Sequence, residues 1–530
     1  MRKRVSELDF GSGDAINYKQ RNNKEFFNKI FLTDHKLRAI LKPDKYFLIG
    51  EKGTGKTAYS TFLANNDYDN NISDNIFISE TEYKRFLNLL IKHNLLTSDI
   101  IQIWKVILLK LLSDGVRRCL DYSNPFKGVL NYKKLADAID EYGEITSSVL
   151  GVSGAIDLVD NASLSITVFQ KYFPIQTPNQ IVSKNYMFEL LYLKSQFEKC
   201  LSAVKVKNSY ILFIDGIDIK PEGITQEEYI ECIKGLLNAS WEINTGFLGN
   251  IRGLQNYQIK VVVLLRPDIF DVMGLHNQNN KLRDNSVMLD WRTTYNDYVS
   301  SGLYKIAMKM LISQQDFSVE DEEKLFEQYF PYKIWNHKKQ AQIDSPFIDF
   351  LRHSFYRPRD IVVLFDIMKD YIELNNPDAT EFPNDTFRKC LESYSEYLLG
   401  EVKDQLKFYY TDDEYQVFLN FFHYLDGNKE FDYDQLCEAY DKYLDFLNVN
   451  GIACPQFYQT VDIFLQFIYE LNIICYVEVF ESRDDELLRW CFRERSYSNL
   501  KPKVRLKSTY RIHYGLQKAL NVGRKIKTNS

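Results

Sequence analysis

The hydrophobic pattern alternates between short, continuous apolar runs and longer segments with a helical period. Continuous runs are typical of strands buried on both faces, and the 3.6-residue period is typical of the helices that cover them. The predicted strands are Tyr46–Ile49, Ile211–Ile214, Lys260–Leu265 and Ser286–Trp291, and the predicted helices around them are Tyr18–Phe31, Ala58–Asn65, Tyr186–Val204 and Ile224–Ala239. This alternation predicts an α/β fold with a parallel sheet and helices on both of its faces.

The spacing of the strands predicts the domains. Lys56 follows the first strand and Asp215 ends the second, 159 residues later, which is far more than a compact sheet core needs. We therefore expect a mainly helical insertion at about 67–185. Its predicted elements are helices at Glu80–Asn94, Ser98–Ser113 and Tyr132–Glu141 and a loop at Val149–Leu158. The predicted domains are a core at 1–300, an all-helical lid at 301–404 and a C-terminal domain at 405–530.

The C-terminal domain has a recognisable order of elements. The predicted helices are Asp412–Leu425, Tyr433–Phe446 and Gln456–Leu471, and the predicted strands are Ile473–Phe480 and Leu487–Arg493. Three helices followed by a hairpin are typical of a winged-helix domain, whose third helix reads DNA where DNA is bound. Its polar positions, Gln459, Asp462, Gln466 and Glu470, form an acidic set that suits a phosphate-lined groove poorly.

Charge is unevenly distributed along the chain. The net charge is −6, but Cys491–Ser530 holds 11 lysines and arginines against one acid, Glu494. Such a segment is typical of a nucleic-acid contact and also of a solvated tail. Two interpretations of the C-terminal domain stay open. One is a non-specific contact of Arg493–Lys507 with the DNA backbone; the other, which we favour, is a surface for protein interaction or self-packing.

Cysteine usage and hydropathy exclude several classes of protein. None of the eight cysteines forms a C-x-x-C pair or lies beside a histidine cluster, which argues against a zinc site or a disulfide framework. The N-terminus leads into no apolar signal-peptide segment. The most apolar stretch, Ile100–Leu112, contains two lysines and is too short to span a bilayer. We therefore expect a cytoplasmic protein that contacts no membrane.

The strongest candidate for chemistry is a glycine-rich loop between the first strand and the helix that follows it. Its residues are Gly50, Glu51, Lys52, Gly53, Thr54, Gly55, Lys56 and Thr57, which fit G-x-x-x-x-G-K-[ST] at every fixed position. Glycines let backbone N–H groups surround a polyphosphate, and the helix start adds its dipole. The pattern places Lys56 at the β- and γ-phosphates of ATP and Thr57 on Mg²⁺. The alternative is a glycine turn with a surface lysine.

Two further strand ends carry charged residues toward the same edge of the predicted sheet. Asp215 ends a buried strand where open α/β sheets bind ligands, and a carboxylate there holds Mg²⁺ through water. Asp218 follows as a candidate catalytic base. The alternative is a simple strand-to-turn junction, since Asp-Gly is common in turns. Arg266 ends the strand Lys260–Leu265 and senses the γ-phosphate, or else pairs with Asp268 or Asp215.

A last arginine lies in the helical region. Arg359 follows Pro358 at a predicted helix start, which fixes the direction of the guanidinium. This position suits a lid residue that returns to the γ-phosphate. Arg357, or a structural ion pair, is the alternative.

Together these segments resemble a prokaryotic family of P-loop ATPases near the AAA+ initiator and STAND groups. The residues that carry the resemblance are Phe10-Gly11 with Asp14-Ala15, Gly50–Thr57, Phe213–Asp218, Leu265–Asp268, Leu289–Trp291 and Arg357–Asp360. It covers most of the chain and is weakest at about 67–185. The resemblance implies a P-loop NTPase core with a parallel sheet, a helical insertion, a helical lid and a winged-helix-like C-terminal domain.

The resemblance also implies roles for single residues. By similarity, Lys56 and Thr57 bind phosphate and Mg²⁺, Asp215 binds Mg²⁺, Arg266 is the sensor arginine, Arg359 is the lid arginine, and Phe10 and Gly11 flank the adenine. Arg283 lies where AAA-type ATPases place an arginine that reaches a neighbouring subunit, although a solvated loop arginine is favoured here. Most relatives carry a water-polarising Glu where this chain has Gly216. Either Asp218 is the base, or hydrolysis is slow.

The function that follows from the resemblance is an ATP-dependent switch. It binds ATP, hydrolyses it slowly, and couples nucleotide state to self-assembly or to an effector protein; some similar bacterial ATPases belong to phage-defence gene clusters. A rival function is a DNA-associated ATPase whose nucleotide state gates loading on nucleic acid. A third is a subunit that binds ATP, barely hydrolyses it and acts through a separate effector.

Overall fold

The computed structural model describes residues 2–78, 97–120, 182–220, 225–254, 256–319, 321–336, 339–480 and 485–523. The strands are β1 (Phe47–Ile49), β2 (Asn71–Phe77), β3 (Ser209–Asp215), β4 (Ile259–Leu265), β5 (Ser286–Met288), β6 (Ile334–Asn336), β7 (Ala341–Asp344), β8 (Glu430–Asp432), β9 (Ile474–Phe480), β10 (Asp485–Trp490) and β11 (Thr509–Ile512). The helices are α1 (Arg21–Ile30), α2 (Leu37–Ile40), α3 (Lys56–Asn65), α4 (Thr97–Val116), α5 (Val182–Ser202), α6 (Gln226–Glu242), α7 (Pro267–Val272), α8 (Gln278–Asn285), α9 (Gly302–Ile312), α10 (Glu322–Tyr329), α11 (Pro346–His353), α12 (Pro358–Asn375), α13 (Thr386–Leu406), α14 (Asp412–Phe421), α15 (Tyr433–Val449), α16 (Val461–Glu470) and α17 (Cys491–Glu494). The predicted helices Glu80–Asn94 and Tyr132–Glu141 and the loop Val149–Leu158 lie outside the described residues.

The chain divides into two compact units. Lys36–Ile49 and Lys56–Met288 form one, which we call the sheet unit. The other, which we call the helical unit, consists of Met1–His35, Gly50–Gly55 and Leu289–Ser530. The glycine-rich loop is therefore divided between them, since its last two residues begin α3 of the sheet unit.

The sheet unit is built on five parallel strands in the order β2-β3-β4-β1-β5. Every residue of β1, β3 and β4 is buried, as their continuous apolar runs predict. The register aligns Ile214 of β3 with Val263 of β4, and Val263 with Phe47 of β1. The α/β class and the predicted strands are confirmed, except that the strand predicted at Ser286–Trp291 ends at Met288.

Helices α4 and α6 pack on this sheet, where both contact β4. Helix α4 also packs on α6 and on α5. The predictions Ser98–Ser113 and Tyr186–Val204 are confirmed, with each helix a few residues longer. Helix α6 begins after Thr225, whose hydroxyl accepts from the Glu228 N–H in a capping box. None of the described helices is long and apolar enough to cross a membrane.

The helical unit corrects one prediction. Residues 300–400 are not all helical, because β6 and β7 form an antiparallel hairpin between α10 and α11. Aromatic and β-branched residues such as Trp335 and Ile343 favour strands. Gln340, at φ 50°, supplies the left-handed residue of the turn region. The hairpin strands are three and four residues long, too short to leave a clear period in the sequence.

The C-terminal part contains the three predicted helices, as α14, α15 and α16 with short 3₁₀ segments at their ends. Its antiparallel sheet has the order β10-β9-β11-β8, of which β8 and β11 were not predicted. The strand predicted to Arg493 is wrong at its end, since β10 stops at Trp490 and α17 follows. Cys491 and Phe492 are both buried at the start of this short helix.

Candidate functional site

The glycine-rich loop joins β1 to α3. Gly53 has φ +83°, in the left-handed region, and a Cβ on it would lie 3.3 Å from Arg359 Cβ and 3.4 Å from Arg357 Nε. The sequence pattern therefore has a local steric cause, because a side chain at Gly53 would be strained and would crowd these two arginines.

Hydrogen bonds within the helical unit hold the loop's carbonyl groups. Four consecutive carbonyl groups of the loop accept hydrogen bonds, and the donors include Arg357 and the backbone N–H of Arg359. The bonds are Thr54 Oγ1 to Glu51 O at 2.7 Å, Arg357 Nη1 to Lys52 O at 2.9 Å, the Arg359 N–H to Gly53 O at 3.4 Å, and Trp291 Nε1 to Thr54 O at 2.9 Å. These four carbonyl oxygens are bonded to protein donors and so do not point at a bound anion. A loop that binds an anion through its N–H groups requires this.

Sequence reasoning did not assign Trp291 a role. It appeared only within the Leu289–Trp291 segment of the resemblance. Its ring is buried and stacks on His35 with centroids 3.8 Å apart, so that the indole N–H is held toward Thr54 O. The sequence signal that could have identified it is a tryptophan shortly after a predicted strand.

Two of the loop's charged residues, Glu51 and Lys52, are also held by the helical unit. Lys52 Nζ lies 2.6 Å from Asp404 Oδ2 and 3.2 Å from Glu401 Oε1, at the end of α13. Glu51 forms an ion pair with Arg495, which follows α17. Glu401, Asp404 and Arg495 were not identified from the sequence, since nothing local to them indicates a contact with residues 51 and 52.

Arg357 and Arg359 have different environments. Arg357 is 5% exposed and donates to both carboxylate oxygens of Asp360, at 2.7–3.0 Å. Burial lowers its pKa, but the charge and hydrogen bonds of Asp360, together with Tyr397 and Glu401, outweigh this and the net pKa is raised. Arg359 is about a quarter exposed and reaches Glu401 only at 3.3 and 3.4 Å. Arg357 is thus the structural ion pair, and Arg359 is the guanidinium held more loosely.

In the sheet unit, Asp215 lies at the carboxyl end of β3 and is 4% exposed. Burial raises the pKa of its carboxyl group, and the charge of the nearby Asp218 adds to the rise. Hydrogen bonds from the Thr57 hydroxyl and the Gly216 N–H, together with the Lys56 charge, oppose this rise without cancelling it. The structure therefore brings together Lys56, Thr57, Asp215 and Asp218, as the sequence predicts.

The turn after β3 explains why residue 216 is glycine. Gly216 has φ +80°, and a Cβ there would lie 2.7 Å from the Phe77 ring. Phe77 is opposite Asp215 in the β2–β3 pairing, which fixes the ring beside the turn. Tyr229 Oη donates to Ile217 O at 2.7 Å and so pins the next residue. A glutamate at position 216 does not fit this turn.

The other two predicted arginines are in ion pairs. Arg266 is 2% exposed, and its Nε donates to Asp268 Oδ1 at 3.0 Å, with a second contact through Nη2. This pair was the alternative interpretation. Arg283 is on α8 with its side chain 70% exposed, beside Asp284 at 3.0 Å. The geometry matches the solvated arginine that was favoured there.

Phe10 and Gly11 lie in the helical unit. Phe10 is fully buried with its ring edge-to-face on Phe365 of α12, 5.2 Å away, so it contributes to the core. Gly13, two residues after Gly11, packs against Val363 and the Arg359 side chain. The N-terminal segment thus lies beside the same helix start that carries the loop-binding arginines.

The residues of the sheet unit can be tested against Mg²⁺. Asp215 Oδ2 is buried and has no hydrogen-bond partner in the described part of the chain. No group of three or more His, Cys, Asp or Glu suited to a metal occurs among the described residues. Mg²⁺ takes oxygen ligands and keeps several waters, so a carboxylate and the Thr57 hydroxyl suffice when phosphates complete its shell. The residues fit Mg²⁺ that arrives with a polyphosphate.

Three arginines of the basic C-terminal stretch pair with acids of the helical unit. They are Arg495 with Glu51, Arg505 with Glu478 and Arg511 with Glu430, and Arg493 donates to the Tyr356 hydroxyl. Gln466 on α16 bonds Pro502 O and the Val504 N–H, both at 2.9 Å. The segment around Pro502 and Val504 therefore already covers part of the helix that would enter a DNA groove.

Comparison with known proteins adds no relative to this picture. No family model matches the chain, and no curated protein matches it.

Proposed function

We propose that this chain is a P-loop ATPase that binds ATP with Mg²⁺ and hydrolyses it slowly. The observation that carries the proposal is the loop Gly50–Thr57 between a buried parallel strand and a helix, combined with the buried carboxylate of Asp215. Few other ligands suit a glycine loop, a lysine, a hydroxyl and a carboxylate in this arrangement.

Each residue has a distinct task in this proposal. Lys56 neutralises the β- and γ-phosphates, and the loop N–H groups bind phosphate oxygens. Thr57 and Asp215 hold Mg²⁺, which supplies charge neutralisation when bound. Asp218 orients or deprotonates the attacking water. The absence of a Glu at position 216 supports slow turnover.

We assign the wider architecture in the same way. The sheet unit is the P-loop NTPase core, α9–α13 are the lid, and α14–α16 with β8–β11 form a winged-helix-like domain. The helix-strand-helix-helix-strand-strand order of the last segment supports this assignment. The chain acts as a cytoplasmic switch, and the Arg495–Glu51 pair supports communication between nucleotide state and the C-terminal domain, which engages a partner or another copy.

The test is nucleotide binding by a Lys56→Ala variant. Removing one charge-assisted contact to phosphate costs several kcal/mol, so we expect affinity for Mg-ATP to fall about 100-fold or more in titration calorimetry. Lys389→Ala, at an exposed lysine of α13, is the matched control and leaves affinity unchanged. If Lys56→Ala binds Mg-ATP as the wild type does, the proposal is wrong.

A further inference from the structure

Glu401 occupies an unusual position on α13. Its carboxylate is 9% exposed and lies within ion-pair distance of three cations of the helical unit. The distances are 3.2 Å to Lys52 Nζ, 3.3 Å to Arg359 Nη1 and 3.6 Å to Arg357 Nη1. Burial raises the pKa of Glu401, but Arg357 and Arg359 lead the opposing charges and the net pKa is lowered. The side chain is therefore an anion at neutral pH.

The three cations depend on Glu401 to different degrees. Arg357 has both oxygens of Asp360, and Lys52 has Asp404 at 2.6 Å. Arg359 meets Glu401 at the long end of hydrogen-bond range, and its side chain is partly exposed. Its backbone N–H is at the same time bonded to Gly53 O of the loop. Glu401 thus places a negative charge beside the loop lysine and the loosely held guanidinium.

We propose that Glu401 is an internal anion that a bound triphosphate must displace from Arg359 and Lys52, and that it thereby sets the preference between ATP and ADP. The proposal rests on nucleotide binding at the loop. In this proposal the γ-phosphate carries the additional negative charge of ATP to the cations that Glu401 already holds. Like charges in a partly desolvated site repel strongly, and ADP, which lacks that phosphate, meets less of this repulsion.

The direction of the expected effect is a gain of affinity. Glu401→Gln removes the competing charge and keeps the shape, so Mg-ATP should bind about tenfold tighter, and Mg-ADP should change less than about threefold. A residue that only stabilises the fold would give weaker binding of both nucleotides. Glu396→Gln is the control, because Glu396 is an exposed acid of the same helix; both affinities should stay within about twofold.

The experiment is titration calorimetry of the full chain with Mg-ATP and Mg-ADP, with folding checked by circular dichroism. Glu401→Asp is included in case the glutamine variant does not fold; it retracts the charge by one methylene and should give a smaller rise in the ATP-to-ADP affinity ratio. A ratio unchanged in the folded variants, or equal gains for both nucleotides, overturns the proposal. If the wild type itself binds neither nucleotide, it is the proposed function that fails.

Discussion

At the scale of single residues, Gly216 shows how one backbone angle limits chemistry. Its positive φ and the nearby Phe77 ring both disfavour a side chain at this position. The position that carries a glutamate in the resembling ATPases is thus closed here by local geometry. Within the part of the chain that the structure describes, Asp218 is the acid whose charge acts on Asp215.

Two other glycines allow this explanation to be tested. Gly216→Ala should lower the free energy of unfolding by about 1–3 kcal/mol, because it adds a steric clash to an unfavourable φ. Gly274 has φ +55° but open space around it, so Gly274→Ala should lose only the stability that the unfavourable backbone angle costs. Gly246 has neither a positive φ nor a close neighbour, so Gly246→Ala should be close to neutral. Thermal and urea unfolding of the three variants measures this order. Equal losses at all three positions would contradict the steric argument.

At the scale of elements, the sequence was informative where an element is long or wholly apolar. The runs at β3 and β4 and the periods of α5 and α15 leave signals that do not depend on the rest of the chain. Strands β6, β8 and β11 have only three or four residues. Their identity comes from partners elsewhere in the chain, so local patterns cannot reveal them.

The candidate site follows the same rule. The loop and the Asp215 segment are contiguous motifs, and the sequence predicted them residue by residue. Glu401, Asp404 and Arg495 bind the loop from positions about 350 to 444 residues away. Ion pairs at such separations leave no local pattern in the sequence. An acidic residue on a predicted helix is interpreted as solvent-exposed until its partners are known.

A buried histidine links the end of β11 to the end of α11. His513 Nε2 donates to Ser354 O at 3.2 Å, and Nδ1 accepts from the Gly515 N–H at 3.2 Å, so the neutral ring is satisfied on both sides. Burial, together with the charges of His353, Arg357 and Arg493, lowers its pKa to about 3. The imidazole is therefore neutral in the folded chain.

This burial predicts a defined pH dependence. The unfolded chain, with a histidine pKa near 6.5, binds more protons than the folded chain between pH 6.5 and about 3. The neutral His513 ring makes its full contribution to the free energy of unfolding above pH 6.5. That contribution falls as the pH drops, by up to about 1.4 kcal/mol per pH unit for one proton. The free energy of unfolding in urea, measured between pH 6.5 and 5, should depend less steeply on pH in His513→Gln than in the wild type. His423→Gln, at an exposed ring, should keep the pH dependence of the wild type. A wild-type slope in His513→Gln would contradict the assignment.

At the scale of the whole molecule, part of the C-terminal basic charge is balanced internally. The C-terminal excess of basic residues predicts either a nucleic-acid contact or a solvated tail. Within the helical unit, Arg495 pairs with Glu51 and Arg511 with Glu430. Lys503 and Lys507 of the same segment are exposed, so this pairing leaves a basic surface on which the DNA-loading alternative can rest. The same pairing connects the C-terminal segment to the loop.

That connection gives a test of communication along the chain. Arg495→Gln leaves Glu51 in the loop without its partner in a partly buried position, so stability should fall by about 2 kcal/mol and affinity for Mg-ATP should fall with it. Glu51→Gln combined with Arg495→Gln removes both charges and should lose less than the two single variants together. Thermal unfolding and calorimetric ATP titration of the four proteins form a double-mutant cycle. Additive losses would show that residue 495 acts on the loop by some route other than Glu51, and unchanged ATP affinity in Arg495→Gln would separate the C-terminal segment from the nucleotide site.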